Sequence, residues 1–587
     1  MLKKWLEKRY KILLESFQDS PFRFDQAVKL LGEKNQDSEN QINVILSELR
    51  KGGWLQVEFD PEDNRKRVYK LNSPEKVISQ MLFAPSNQLS RSDLESLLKK
   101  AADLIRTRVD YTFILFLLFY KRICDKWDDE YNNALQEAMD SGLSNEEAKE
   151  EAKNKIYHDF DIQEDYLWEN IRKDPARLVE NFSKAMKHLA ERNTELKDVF
   201  ENVDFIQFTS NRENSEILRQ LVELFSSKSL QHVSPDILGD AYEWVLKYFA
   251  PQKAKEGEVY TPREVIRLII DLLDPKPEES VYDPAMGSGG MLIISHQHVE
   301  SNYGKSETEK LFLWGQEANH KTLALAEMNL YIHDIRNARF IQGDTLLYPK
   351  FKDEQNIKSF EVVIANPPWN QDGYGEETLK KGEFSKLRFN YGFPPNQSAD
   401  WVWIQHMLAS AKKETGRVGV VIDNGCLFRG GKEKSIRSGV INDDLLEAVI
   451  LLPEKLFYNT GAPGAILIFQ KNKVENRKDK ILFLNCSKDY KQHSEVKKLN
   501  QLGDAHIEKI VKAYREFKEI EGFSRIVSID AIKKEDYNLN VTLYVFPEEE
   551  KETIDVIKEW EEITNVEADI KKNEELVTEY LREIYGN

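Results

Sequence analysis

The chain has few cysteines, no long apolar run and no excess of basic charge. Its 587 residues include three cysteines, Cys124, Cys426 and Cys486, far apart and without a CxxC or Cys/His spacing that would close a zinc site. Disulfide scaffolds and zinc modules are thereby excluded, no metal is expected, and the thiols point to a reducing, cytoplasmic setting. The longest apolar stretch, YTFILFLLFY at 111–120, runs into Lys121 and Arg122 and is too short to span a bilayer, so it reads as a buried helix. The N-terminal MLKKWLEKRYKILLESF is interrupted by Glu7, Lys8, Arg9 and Glu15 and lacks the apolar centre of a signal peptide. No membrane role is expected.

Acids outnumber bases 101 to 83, for a formal net charge of -18. A chain that grips DNA over its whole surface needs clustered Lys and Arg instead. If nucleic acid is the substrate, another component must supply much of the grip. A phosphate loop is also missing. YGKSE offers Gly304, Lys305 and Ser306, but Val299 stands at the required upstream glycine position. No ATPase motor is expected.

What is present falls into blocks. Residues 1–75 show helical periodicity followed by two short strand patterns, WLQVEF and KRVYKL, joined by the turn-rich DPEDNR, which suggests a winged-helix-like unit. Arg65, Lys66 and Arg67 stand near the wing tip, but Glu58, Asp60, Glu62 and Asp63 precede them, so DNA contact and protein docking both stay open. Residues 91–250 read as a helical N-terminal domain. It contains the highly charged SNEEAKEEAKNK and ends in DILGDAYEWVLKYFA. Residues 251–475 alternate apolar runs with helical stretches: SVYDPAMGSGG, LFLWGQEAN, ARFIQGDTL, FEVVIANPP, GRVGVVIDN, LEAVILLP and GAILIFQ. That alternation predicts a parallel sheet covered by helices on both faces, a doubly wound α/β domain with its ligand beyond the carboxyl ends of the strands. Residues 476–547 are expected to form a smaller closing α/β element, an expectation that rests on the family resemblance given below. In 548–587, Val556, Ile563, Ile570, Val577 and Ile584 recur at every seventh position, with Trp560 and Leu581 on the adjoining row and Glu567 and Glu574 interrupting it. The spacing predicts a long helix that meets a partner helix or folds onto its own domain.

The strand ends carry the chemistry. VYDPAMGSGG places Asp283 at the first strand tip, followed by Gly287, Ser288, Gly289 and Gly290, a loop that lets a ligand approach the backbone. By itself such a loop serves dinucleotides, phosphates or S-adenosylmethionine, or merely turns the chain. GQEAN ends the second strand with Glu317, where cofactor domains place an acid on ribose hydroxyls. QGDTL ends the third with Asp344, able to accept from an adenine amino group. Each acid alone is equally consistent with a helix cap; three in succession beside a glycine loop point to a site. The fourth strand ends in Asn366, Pro367, Pro368 and Trp369. The carboxamide oxygen of an Asn there can accept one hydrogen of an exocyclic amine, and carbonyls beside the rigid Pro-Pro the other, which leaves the nitrogen lone pair pointing outwards. Trp369 can stack on a base.

The combination resembles the amino-methyltransferases of DNA that share an Asn/Asp/Ser-Pro-Pro-aromatic motif. Over most of the chain from residue 92 it is similar to the modification (methyltransferase) subunit of type I restriction-modification systems. LLFYKRICDKW, DILGDAYEWVLKYFA, GEVYTPREV, DPAMGSGG, NPPW, FPPNQSADWVWIQHML, GRVGVVIDNGCLFRGG, LPEKLFYNTGAPGAILIF and EDYNLNVTLYV follow in family order. The resemblance implies an S-adenosylmethionine-dependent, Rossmann-like catalytic domain acting on N6 of adenine in double-stranded DNA. It implies cofactor contacts from Tyr260, Thr261, Pro262, Asp283, Gly287, Ser288, Gly289, Glu317, Asp344 and Asn366, and a target-base site from Asn366, Pro367, Pro368 and Trp369. It also implies a specificity subunit, one joining two modification subunits through long helices, and a motor-nuclease restriction subunit as a further partner. Met286 departs from a common Cys and Trp369 from the usual Phe or Tyr. Residues 1–72 are additional to the family's minimal pattern. A methyltransferase of protein glutamine and a catalytically silent scaffold are the alternatives; the first leaves the helical domain and the heptads without a role, and the second leaves the motifs without one.

Overall fold

The structure, a computed structural model, describes residues 4–18, 20–35, 37–51, 54–60, 63–72, 89–105, 109–141, 143–193, 196–200, 205–208, 212–230, 233, 235–255, 261–335, 337–458, 460–493, 498–546 and 556–585. They form two compact units, residues 1–545 and 546–587.

The first unit opens with helices Lys4–Phe17, Phe24–Asn35 and Glu39–Lys51 and strands β1 (Phe22–Arg23), β2 (Leu55–Asp60) and β3 (Asp63–Leu71), antiparallel in the order β1-β3-β2. This N-terminal part sets three helices against a three-stranded antiparallel sheet. It closes over its own core of residues such as Tyr10, Leu13, Phe22, Leu31 and Leu49. Its first helix lays Trp5 against Gly304, and Gln41 Nε2 donates to Glu307 Oε1 at 3.3 Å, so one face docks on the protein itself. The side chains of Arg65, Lys66 and Arg67 lie outside the described part.

Helices Arg91–Ile105, Thr112–Asp140, Leu178–Arg192, Arg212–Ser226 and Pro235–Lys255 share a second core. The YTFILFLLFY run is buried within it, and among the described residues no helix is long and apolar enough to cross a membrane. The charged stretch forms helix Asn145–Glu151, started by a Ser144–Glu147 capping box, with Ala148 as its one buried side chain. Leu325, Met328 and Ile332 of helix His320–Ile332 complete the same core, which joins the helical part to the sheet.

That sheet is built from β4 (Ser280–Asp283), β5 (Phe312–Glu317), β6 (Ala338–Gln342), β9 (Val362–Ala365), β10 (Arg417–Asp423), β11 (Leu446–Leu451), β12 (Gly464–Gln470), β13 (Lys480–Asn485) and β16 (Ser524–Ser528). The order is β16-β13-β11-β12-β10-β9-β4-β5-β6. Two small ribbons, β7 (Lys352–Asp353) with β8 (Asn356–Ile357) and β14 (Lys491–Gln492) with β15 (Asn500–Gln501), stand apart from it. Alternate residues of β9 enter different cores, Val362 and Ile364 one, Val363 and Ala365 the other. Both faces are thus covered, which is why the strand reads as an unbroken apolar run.

The α/β architecture is as the sequence predicts, with one correction. The sheet is mixed: β12 runs antiparallel to β10 and β11, and β16 antiparallel to β13, while the pairs β6/β5, β5/β4, β4/β9, β9/β10 and β11/β13 are parallel. A parallel return needs a crossover, usually a helix, and residues 452–463 between β11 and β12 hold no helix among those described. The expected boundary at residue 475 falls inside this continuous sheet. From β4 the chain adds β5 and β6 toward one edge and then returns to β9 and β10 on the other side. The switch point, where open α/β sheets bind ligands, therefore lies between β4 and β9.

The second unit contains helix Val556–Tyr585. Trp560, Ile563, Ile570 and Val577 are exposed along it, leaving the heptad row free of cover among the described residues of this unit. Val556, Leu581 and Ile584 have side chains outside the described part.

Met286 occupies space that Gly315 of β5 leaves open. A Cβ at Gly315 would lie 2.2 Å from Met286 Sδ, 3.0 Å from Phe340 and 3.2 Å from Leu292. Gly315→Ala should therefore overpack the floor beneath the glycine loop and cost about 1–3 kcal/mol of stability. Chemical denaturation of the variant checks this; an unchanged midpoint would show that the floor can relax.

Candidate active site

β9 is wholly buried and stops at Asn366 because Pro367 has no N–H for the ladder. Asn366 is itself buried, 9% exposed, so its carboxamide needs partners. Nδ2 donates to Thr261 Oγ1 at 2.8 Å, and Oδ1 accepts from Trp369 Nε1 at 2.9 Å. Thr261 lies directly before Pro262, the N-cap of helix Arg263–Leu273. One carboxamide therefore joins the end of β9 to the segment that leads in from the helical part. Tyr260 lies outside the described residues.

At the end of β4, Asp283 is 2% exposed and its Oδ1 accepts from the Ala285 N–H at 3.0 Å. Burial, with the charge of Glu317 adding to it, pushes its carboxyl up to about 8, against the effect of that N–H. Gly287 and Gly289 then take φ of +54° and +79°, a region costly for side-chain-bearing residues, and helix Gly290–Tyr303 follows. Glu317 crosses from β5 to accept from the Gly287 N–H at 3.0 Å, and its other oxygen accepts from the Asn319 N–H at 2.8 Å. Beyond β6, Asp344 accepts from the Leu347 N–H at 3.1 Å and the Tyr374 hydroxyl at 2.9 Å.

These groups surround a two-lobed cleft. A lobe of about 80 Å³ is lined by Thr261, Asp283, Gly287, Ser288 and Asn366 together with Glu243, Arg263 and Asn329. A lobe of about 240 Å³ shares Gly287, Ser288 and Asn366 and adds Glu317, Asp344 and Pro368. Pro262, Gly289, Pro367 and Trp369 do not line either lobe. Trp369 stands edge-on to Phe457, with centroids 4.8 Å apart at 69°.

Several wall residues were not singled out from the sequence. Tyr111 and Leu246 reach the larger lobe from the helical part, and Gln371, Tyr374 and Trp403 come from beyond the Pro-Pro segment. Tyr111 and Leu246 lie inside apolar helical patterns and read as core. For Tyr374 the one available signal was its place in the loop directly after the motif. In the smaller lobe, Arg263 is paired with Asp240 and Glu243 at 2.7 and 2.9 Å. Asn329 donates from Nδ2 to the Ser288 carbonyl at 3.1 Å, while its buried Oδ1 has no donor among the described residues.

Beyond Trp369 the chain is fixed by charge. The Asn370 N–H donates to Asp400 Oδ1 at 2.9 Å and its side-chain oxygen accepts from Arg429 at 2.8 Å. Arg429 also pairs with Asp400, with Asp423 at 2.9 Å and with Glu433 at 2.6 Å. Segments far apart in sequence thus hold the exit of the motif.

The position of Asp283 gives a pH signature. An exposed Asp ionises near pH ~3.9, so between there and about 8 the folded chain holds a proton that the unfolded chain has lost. This group's contribution to stability is complete below the lower value and declines as pH rises to about 8. Asn matches the neutral acid in shape, so Asp283→Asn should gain stability relative to the parent as pH rises across that window. Urea titrations of both proteins at several pH values test this; parallel pH profiles would contradict it.

A family model described as N-6 DNA Methylase matches residues 233–553, and one described as HsdM N-terminal domain matches 94–225. The type I restriction enzyme MjaVIII methylase subunit of Methanocaldococcus jannaschii is 43% identical over 99% of this chain and 98% of its own length. The EcoKI methylase subunit of Escherichia coli is 28% identical over 63% of this chain and 69% of its own. Among solved structures, the type I methyltransferase subunit of Streptococcus thermophilus superposes with a TM-score of 0.67 at 25% identity, covering 78% of this chain and all of the other. The protein-glutamine and silent-scaffold alternatives are not favoured. With both models matched in order and a relative similar over almost its whole length, this chain belongs to the N6-adenine DNA methyltransferases that serve as methylase subunits of type I restriction enzymes.

Proposed function

We propose that this chain uses S-adenosylmethionine to methylate N6 of an adenine flipped out of double-stranded DNA, with Asn366 as the residue that presents the amine. The observation that carries this reading is the meeting of the Asn366 carboxamide with Thr261, the glycine loop and three strand-end acids around one cleft at the switch point of the sheet. A separate specificity subunit chooses the sequence and joins two such chains, a restriction subunit completes the nuclease, and the assembly works in the cytoplasm. The exposed row Ile563, Ile570 and Val577 on the last helix suits contact with the specificity subunit, and a partner that grips DNA fits the net charge of -18.

The residues present fit the cofactor. Glu317 and Asp344 give the cleft a negative field that suits a sulfonium cation, and their oxygens would accept from ribose and adenine donors. Asn329 Oδ1, a buried acceptor without a donor among the described residues, would suit an ammonium group; leaving such an atom unpaired costs about 1–3 kcal/mol. When bound, the cofactor supplies the electrophilic methyl group.

The remaining work falls to the chain. An adenine amine is a weak nucleophile because its lone pair is delocalised into the ring. Asn366 Oδ1 and a carbonyl of the Pro367–Pro368 segment hold its two hydrogens, favour a more tetrahedral nitrogen and aim the lone pair at the donor. Both prolines lack an N–H, so neither offers a competing donor. The few kcal/mol needed to extract the base are offset by stacking and by DNA contacts made across the assembly.

Asn366→Ala should abolish N6-methyladenine formation by the assembled enzyme while leaving binding of labelled S-adenosylmethionine nearly intact. Methylation at the parental rate would remove Asn366 from the reaction. The isolated chain should methylate DNA poorly and without sequence preference; sequence-specific transfer by it alone would contradict the need for a specificity subunit.

A further inference from the structure

The aromatic residue of the motif has a role that its side-chain type alone makes available. Trp369 Nε1 lies 2.9 Å from Asn366 Oδ1, and Asn366 Nδ2 lies 2.8 Å from Thr261 Oγ1. An indole is a donor and never an acceptor, so the carboxamide atom facing it must be the oxygen. A flipped amide would set N–H against N–H. The orientation of Asn366 is therefore fixed by its neighbour three residues on, with one lone pair of Oδ1 still available.

The seat of the indole is built for it. Its ring edge meets Phe457 at 69°, and a Cβ on Gly464, the first residue of β12, would lie 3.0 Å from Trp369 Cη2 and 2.8 Å from Phe457. Only a glycine there lets both rings in. The next residue, Asn370, is tied to Asp400 and Arg429. The indole belongs to the wall behind the carboxamide and lines neither lobe of the cleft.

We propose that Trp369 is a positioning residue, whose indole N–H holds the Asn366 carboxamide in the orientation that accepts the target amine. This rests on the reading of Asn366 given above. A Phe would fill the seat without the N–H, and a Tyr would carry its hydroxyl beyond the reach of Oδ1.

The test uses the chain assembled with its specificity subunit. Trp369 is replaced by Phe and, separately, by 3-benzothienylalanine, which keeps the bicyclic shape and puts sulfur where the N–H was. Loss of this one hydrogen bond should lower kcat for N6-methyladenine formation about tenfold in both variants. The KM values for S-adenosylmethionine and DNA should stay unchanged. Full kcat in the benzothienyl variant would overturn the proposal, as would a defect confined to DNA affinity or to base flipping reported by 2-aminopurine at the target. Asn366→Ala separates the two levels. Transfer retained in that variant removes the reading of Asn366; transfer lost there but intact in the benzothienyl variant removes only the role of Trp369.

Discussion

A carboxamide buried at the end of a buried strand must have its hydrogen bonds made inside the protein. Here one Asn366 amide spans Thr261 on one side and Trp369 on the other, and much of the molecule is arranged around that requirement. Thr261 is placed by the start of helix Arg263–Leu273, which packs its apolar side against the sheet. Trp369 is placed by Gly464 of β12 and Phe457, on the chain that crosses back between β11 and β10. Leaving either end of the amide unpaired would cost about 1–3 kcal/mol. The same contacts that make the site thus also tie in the lead-in from the helical part and the start of the antiparallel strand β12.

Much of this was legible in the sequence, for a simple reason. Strands buried on both faces need continuous apolar residues, and polar residues can appear only where a strand emerges, so VVIA followed by Asn-Pro-Pro marks both a strand and its end. Asp283, Glu317 and Asp344 were legible in the same way and stand around one cleft. The direction of GAILIFQ was not, because an apolar run carries no record of which way it points; only the short link before it, residues 452–463, bore on that. Tyr111 and Leu246 were illegible for the opposite reason. In a helical pattern a residue that closes a cleft and one that fills a core have the same spacing. The bond from Trp369 to Asn366 depends on a seat made some ninety residues later by Gly464, which no local pattern encodes.

The additional N-terminal unit takes a different place from the rest. It has a core of its own, yet Trp5 and Gln41 meet Gly304 and Glu307 on the back of the glycine-loop helix. That position braces the helix Gly290–Tyr303 at the end away from the cleft.

Charge ties the cleft to turnover. Asp283, Glu317 and Asp344 converge where the only nearby cation lining the described cleft, Arg263, is already paired with Asp240 and Glu243. Interactions between charges strengthen as water is excluded, so this field favours a cationic ligand over a neutral one of the same shape. Under the proposed reading, that cationic ligand is a sulfonium compound. Methyl transfer leaves a neutral thioether among the same carboxylates. The carboxylates would therefore draw the donor more strongly than the product.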